Sequence, residues 1–154
     1  MILVDANLLL YAYDPDSKDH DAARRWLEDM LSGHELVRFA WVTLWAFLRI
    51  ATSPRVFARP LSAAEAHDAV ASWLAQPNAG ILDPGERHVA LLGSLLTEGQ
   101  AAGALVMDAA LAAIAIEHGA MLCSTDRDFG RFTGLKWRNP LTASGARAPR
   151  RAKR

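Results

Sequence analysis

Four aspartates hold the chemistry open to this sequence. Asp5 ends the apolar run Ile2-Leu3-Val4, Asp108 follows Leu105-Val106-Met107, and Asp126, with Asp128 two residues on, follows Met121-Leu122-Cys123. In open α/β sheets ligands bind beyond the carboxyl ends of the strands. If the three apolar runs are parallel neighbours, their acids converge on one edge of a sheet. Carboxylates packed together repel, and one or more takes up a proton unless a cation neutralises them. An all-oxygen donor set favours hard divalent ions, Mg²⁺ or Mn²⁺. Such ions suit phosphodiester hydrolysis, because they activate water and stabilise charge on the attacking and leaving oxygens. No protein nucleophile or general-base histidine is then required. Asp5, Asp108 and Asp126 are the candidate metal ligands, and Asp128 joins them as a candidate catalytic acid.

Each acid also has a plainer reading. Asp108 is equally placed to be a helix N-cap, and Asp126 a turn residue or N-cap. Asp5 is harder to explain that way, since an acid directly after a buried strand needs a partner. Among nearby polar residues, Asn7 either binds a metal-bound water or caps the first helix. Thr125 either hydrogen-bonds a ligand carboxylate or satisfies local backbone. The histidines, His20, His34, His67, His88 and His118, lack metal-ligand spacing, so zinc is not expected. The tryptophans (Trp26, Trp41, Trp45, Trp73, Trp137) fall mainly on apolar helical positions and read as core or interface before base-stacking platforms. Neither a Gly-rich phosphate loop nor a G-x-S-x-G elbow is present.

The elements that must position the acids alternate between strand and helix. Ile2 to Asp5 reads as a buried strand, Leu8 to Tyr11 begins a helix stopped by Asp14-Pro15, and Ser17 to Leu31 is amphipathic at helical spacing. Leu36 to Phe39 reads as a second strand and Trp41 to Ala51 as a buried helix. Ser62, with Glu65 three residues on, predicts a capping box for a helix through Leu74. Ile81-Leu82 is a short strand, and Asp83-Pro84-Gly85 leads into a helix to about Leu96. Leu105-Val106-Met107 precedes Asp108, and an alanine-rich helix runs from Ala109 to His118. Met121-Leu122-Cys123 is a strand, and Leu135-Lys136-Trp137 an edge strand. The alternation indicates an α/β layer fold with a mostly parallel sheet.

A chain of 154 residues, 51% hydrophobic and 22% charged, suits one domain with a real core. No apolar run approaches the ~20 residues needed to span a bilayer, and Met1 to Asp5 lacks the features of a signal peptide. The single Cys123 excludes an internal disulfide, fits a reducing cytoplasm, and reads as a small buried hydrophobe. The formal net charge of zero conceals a basic tail, since Arg147 to Arg154 carry five basic residues and no acid, leaving 12 Lys+Arg against 17 Asp+Glu in the remainder. That tail either attracts a phosphate backbone or is a solvated terminus.

Taken in order, these motifs resemble those of PIN-domain nucleases. Ile2-Leu3-Val4-Asp5-Ala6-Asn7 is similar to their opening motif, Phe47-Leu48-Arg49-Ile50-Ala51-Thr52-Ser53-Pro54 to the segment around the second, Leu105 to Ala115 to the third, and Ser124-Thr125-Asp126-Arg127-Asp128-Phe129 to the fourth. The resemblance runs from Met1 to about Leu141 and is nearest to VapC toxins of VapBC toxin–antitoxin pairs, particularly the mycobacterial kind. It implies a PIN-like three-layer sandwich over residues 1–142, a mostly parallel central sheet flanked by helices, with 143–154 as a basic tail. It also implies a Mg²⁺- or Mn²⁺-dependent endoribonuclease acting on tRNA, rRNA or mRNA, and a cytoplasmic homodimer neutralised by a VapB-like antitoxin bound in a groove near the active site. The helices from Ser17 and Trp41 offer apolar surface for such contacts.

One position departs from the pattern. The family's second motif carries a glutamate just before Phe-Leu-Arg, where this chain has Ala46. Glu117 is a poor substitute, because nine residues beyond Asp108 at ~3.6 residues per turn place it half a turn round the helix. A water in the vacancy or a contribution from Asp128 would compensate. Arg49 shares a helical face with Ala46 and either orients a phosphate or pairs with an aspartate. The departure keeps a second reading open, a catalytically silent PIN-like module that binds RNA or protein. A third is an aspartyl-phosphate enzyme with Asp5 as nucleophile, but the D-x-D motif of haloacid dehalogenase-like phosphatases has Asn7 here at its second acid.

Overall fold

The computed structural model describes residues 1–142, so the basic tail at 143–154 lies outside the described residues. Five strands form one sheet: β1 (Ile2–Val4), β2 (Val37–Phe39), β3 (Ala79–Ile81), β4 (Met121–Cys123) and β5 (Trp137–Arg138), in the order β3-β2-β1-β4-β5. Every pairing is parallel. In β1 all three residues are buried, as expected of a central parallel strand covered on both faces, where an unbroken apolar run replaces alternation.

Helices cover both faces. On one face Ile2 and Val4 pack with Leu8 and Leu9 of α1 (Ala6–Tyr13), Leu27 of α2 (His20–Ser32), Phe47 of α3 (Trp41–Ala51) and Trp73 of α4 (Ala63–Leu74). On the other, Leu3 and Leu122 pack with Leu95 of α5 (His88–Glu98) and with Ala109, Ala112 and Ala113 of α6 (Leu105–His118). A short 3₁₀ helix spans Arg127–Arg131. The result is the expected three-layer α/β sandwich. Among the described residues no helix is long and apolar enough to cross a membrane.

Local chemistry accounts for the boundaries. The capping box at α4 is complete, with the Glu65 N–H donating to Ser62 Oγ at 3.1 Å and the Ser62 N–H to Glu65 Oε2 at 2.9 Å. Gly119 closes α6 at φ +65°, a conformation that glycine adopts without a Cβ penalty. The second helix starts at His20 and not at Ser17, because Ser17 forms a turn instead: its carbonyl accepts from the His20 N–H and its hydroxyl from the Asp19 N–H. The expectation that Leu105-Val106-Met107 precedes the helix as a strand is corrected. These residues are the first turn of α6, which starts from a turn at Ala102-Gly103, with the Leu105 N–H donating to the Ala102 carbonyl. The strong helix propensity of the alanines that follow carries back through them.

Phe47 is fully buried and meets Tyr13 and Trp73 edge-on, with ring centroids 5.5 and 4.8 Å away. Phe47→Ala is expected to lower folding stability by about 3–5 kcal/mol in urea unfolding. A loss below 1 kcal/mol would contradict this placement of α3.

Candidate metal centre at the carboxyl edge of the sheet

Asp5 leaves the central strand and begins α1 at once. Its N–H donates to the Cys123 carbonyl at 3.0 Å, continuing the β1–β4 ladder, and its Oδ1 accepts from the Ala6 N–H at 2.7 Å as the helix N-cap. Its other oxygen, Oδ2, accepts from the Ser124 hydroxyl at 2.7 Å. Ser124 is fully buried directly after β4, and its Oγ also accepts from Asn7 Nδ2 and from the Asp126 N–H, each at 3.0 Å. One hydroxyl therefore ties the first and fourth motifs together. The register that pairs Val4 with Cys123 sets Asp5 beside Ser124.

Asp126 caps the 3₁₀ helix, its Oδ1 accepting from the Asp128 N–H at 2.8 Å. Asp128 is exposed and faces Arg131 at 3.3 Å, a surface pair worth little by itself. Asp108 lies in the first turn of α6, whose N-cap is Ala104, so it is not the cap that its sequence position allowed. Its carboxyl is pushed up to about 6, chiefly by burial and then by the charges of Asp5, Asp126 and Asp128, with Arg131 opposing. Asp5 is also raised. Burial is the largest cause and Asp126 adds to it, while the hydrogen bonds from Ser124 and Ala6 resist. The four candidate acids, from both ends of the chain, thus lie within one electrostatic neighbourhood.

Asp5, Ala6, Val42, Thr43, Ala46, Met107, Asp108 and Leu111 line a recess at this edge. A larger cavity of about 540 Å³ lies among α1, α2 and α4, but its one carboxylate, Glu28, is paired with Arg24 at 3.0 Å. The smaller recess is the one that two of the candidate acids line. Asn7 lies within α1 and does not cap it. Thr125 is half-buried, and its side chain makes no hydrogen bond among the described residues. Arg49 is exposed in the last turn of α3, with no ion pair among the described residues. Glu117 is engaged elsewhere, accepting from the N–H groups of Gly85 and Arg87. Cys123 is buried, as its reading as a small hydrophobe anticipated, and that burial pushes its thiol up. Of the tryptophans read as core or interface, Trp73 is buried, whereas Trp41 and Trp45 are exposed and stack on each other.

Sequence reasoning missed Ser124 and Thr43. Ser124 was detectable as the first polar residue after β4, level with Asp5 once the register is known. Thr43 sits one turn before Ala46 on the same helix.

The residues present fit a hydrated divalent ion. Among the described residues no three His, Cys, Asp or Glu side chains stand close enough to form a ready-made cage. Mg²⁺ does not need one, since it keeps several waters and binds through one or two carboxylates. Two buried oxygens at this edge, Asn7 Oδ1 and Thr43 Oγ1, have no hydrogen-bond partner. All donors are hard oxygens.

Comparison with known proteins agrees with this fold. The sequence pattern that defines the PIN domain matches residues 2–135. The chain is 48% identical over 140 residues to Ribonuclease VapC37 of Mycobacterium tuberculosis, covering 91% of this chain and 97% of that protein. It is 44% identical over 141 residues to Ribonuclease VapC33 of the same species, covering 92% and 99%. Among solved structures, VapBC2 from Rickettsia felis bound to a promoter DNA fragment superimposes with a TM-score of 0.66 at 19% identity, covering 90% of this chain and 98% of that one. VapC20 of Mycobacterium tuberculosis, described as a sarcin–ricin-loop-cleaving toxin, gives 0.62 at 16% identity, covering 88% and 99%.

The raised Asp108 acid fixes the sign of a pH effect. With no cation bound, Asp108 keeps its proton up to about pH 6 when folded, against 3.8 as the ordinary value. The folded state therefore binds more protons between those values, and stability falls as pH rises through that window. Asp108→Asn is expected to raise the melting temperature in EDTA at pH 7.5 and to give no gain at pH 4. Equal melting temperatures for the two proteins at pH 7.5 would contradict the clustering of the acids.

Proposed function

Because the chain belongs to the PIN-domain family, we propose that it is a VapC-type endoribonuclease, dependent on Mg²⁺ or Mn²⁺ and restrained by a VapB-like antitoxin. The observation that carries this reading is the recess at the carboxyl edge of a parallel sheet, lined by both Asp5 and Asp108, with Asp126 tied to Asp5 through Ser124. A cation would neutralise that charge, and its absence would leave Asp108 partly protonated near neutrality. The names of the curated relatives support RNA as the substrate.

In this reading Asp5, Asp108 and Asp126 hold the ion, directly or through its retained waters, and Asp128 contributes charge from the 3₁₀ helix. When bound, the ion activates water and stabilises negative charge on the phosphate. Ser124 fixes the orientation of the Asp5 carboxylate through its hydroxyl, and Asn7 fixes Ser124 in turn. Arg49, exposed and without an ion pair among the described residues, is placed to meet a phosphate of tRNA, rRNA or mRNA. The antitoxin partner is supported by solved VapBC complexes of the same fold. A homodimer in the cytoplasm completes the proposal.

Ala46 favours one competing reading, a module that binds RNA without cutting it. Purified protein incubated with a tRNA pool separates the two. Cleavage is expected in Mg²⁺, none in EDTA, and none for Asp5→Asn, Asp108→Asn or Asp126→Asn. Ser124→Ala should cut about 10–100-fold more slowly, the usual effect of losing a group that orients a metal ligand. Equal cutting by wild-type and Asp108→Asn protein would refute the assignment, and tight RNA binding with no cutting would establish the module.

A further inference from the structure

The recess between Asp5 and Asp108 contains a polar side chain that the proposed chemistry leaves unused. Thr43, in the first turn of α3, is 2% exposed, and its Oγ1 is buried without a hydrogen-bond partner. Leaving a buried hydroxyl unpaired costs about 1–3 kcal/mol. Valine has the same shape and avoids that cost, so a threonine here is explained by something that meets the hydroxyl.

Two neighbours indicate what that is. Thr43 lines the recess together with Asp5, Asp108 and Ala46. Thr43 and Ala46 are three residues apart on one helix, so they lie side by side on the same face. Ala46 occupies the position where the family pattern carries a glutamate, and its methyl group leaves the space that a carboxylate would fill. An ion held here by fewer carboxylates retains more of its waters, as Mg²⁺ readily does.

We propose that Thr43 is a positioning residue for the divalent ion: its Oγ1 accepts a hydrogen bond from a hydration water lying in the space above Ala46. This rests on the metal-dependent reading of the acidic site. The hydroxyl and the water together take the place of the absent glutamate, so the ion is held on the α3 side without a further negative charge.

Mn²⁺ binding to the full-length protein, followed by the electron paramagnetic resonance of free Mn²⁺ without RNA, tests it. Thr43→Val should weaken binding about tenfold, at the lower end of the effect of outer-shell groups. Thr43→Ser should bind like wild type, and adding Ala46→Glu to Thr43→Val should restore affinity. In EDTA, Thr43→Val should melt at or above the wild-type temperature, since an unpaired buried hydroxyl is replaced by an isosteric methyl. Wild-type affinity in Thr43→Val, with binding lost in Asp5→Asn, overturns the inference and leaves the metal site standing. A Thr43→Val protein that melts well below wild type in EDTA also overturns it, because the hydroxyl is then structural. Failure of folded wild-type protein to bind Mn²⁺ overturns both.

Discussion

Asp5 carries its carboxylate at the end of a strand with neighbours on both sides, where burial drives it toward the protonated form. Three groups oppose that tendency: the Ala6 N–H, the Ser124 hydroxyl, and any cation that enters the recess. The first two come from the fold, and both depend on the sheet. The Ala6 N–H is free because α1 begins directly after β1, so an N-terminal donor has no partner within the helix. The Ser124 hydroxyl arrives because β4 lies parallel to β1 with Cys123 opposite Val4. A one-residue slip in that register would turn Ser124 to the other face and leave Asp5 buried with a single donor.

Much of this is legible in the sequence. An acid after an apolar run marks a strand end facing solvent, and the alternation of elements indicates parallel neighbours, so the convergence of Asp5 and Asp126 followed from pattern alone. The Ser62–Glu65 capping box was equally clear, because it involves only residues close in sequence. What pattern could not supply was register and helix orientation. Ser124 is a polar residue in a polar stretch, Ser124-Thr125-Asp126, and only pairing across 119 residues singles it out. Thr43 lies within the apolar stretch Trp41 to Ala51, and periodicity there marks a buried face without revealing that a charged recess opens onto it. Leu105-Val106-Met107 is too short for periodicity to separate strand from helix.

Asp108 is held by a different device. Ala109, Ala112, Ala113 and Ala115 are all fully buried, and side chains of that size let α6 lie close against the sheet. The far end of α6 is tied down by Glu117, whose carboxylate accepts from the Gly85 and Arg87 N–H groups, and by His118, whose ring nitrogen lies 2.8 Å from the Asp83 carbonyl oxygen. The hydrogen bonds, that from the Gly85 N–H first, lower the Glu117 carboxyl from its ordinary value. It stays ionised, away from the recess, and serves to fix the helix that carries Asp108. Two acids on one helix thus have opposite environments, one paired and one crowded by like charge.

That contrast bears on how stability and function are linked. Four buried polar side-chain atoms among the described residues have no partner. Asn78 Oδ1 belongs to a side chain whose amide nitrogen already meets three carbonyls, and His88 Nδ1 lies 4.0 Å from Glu117. The other two, Asn7 Oδ1 and Thr43 Oγ1, lie at the same edge as the two acids pushed toward protonation. Unpaired oxygens and repelling carboxylates in one place are a local destabilisation that the two apolar cores must offset. An ion that binds the folded state alone reverses it, stabilising by about 2.7 kcal/mol at a hundred times its dissociation constant. Substitutions at this edge therefore act in opposite senses on the two states. Removing a charge or an unpaired oxygen relaxes the metal-free fold and weakens the metal-bound one, whereas a residue with a purely structural role would shift both in the same direction.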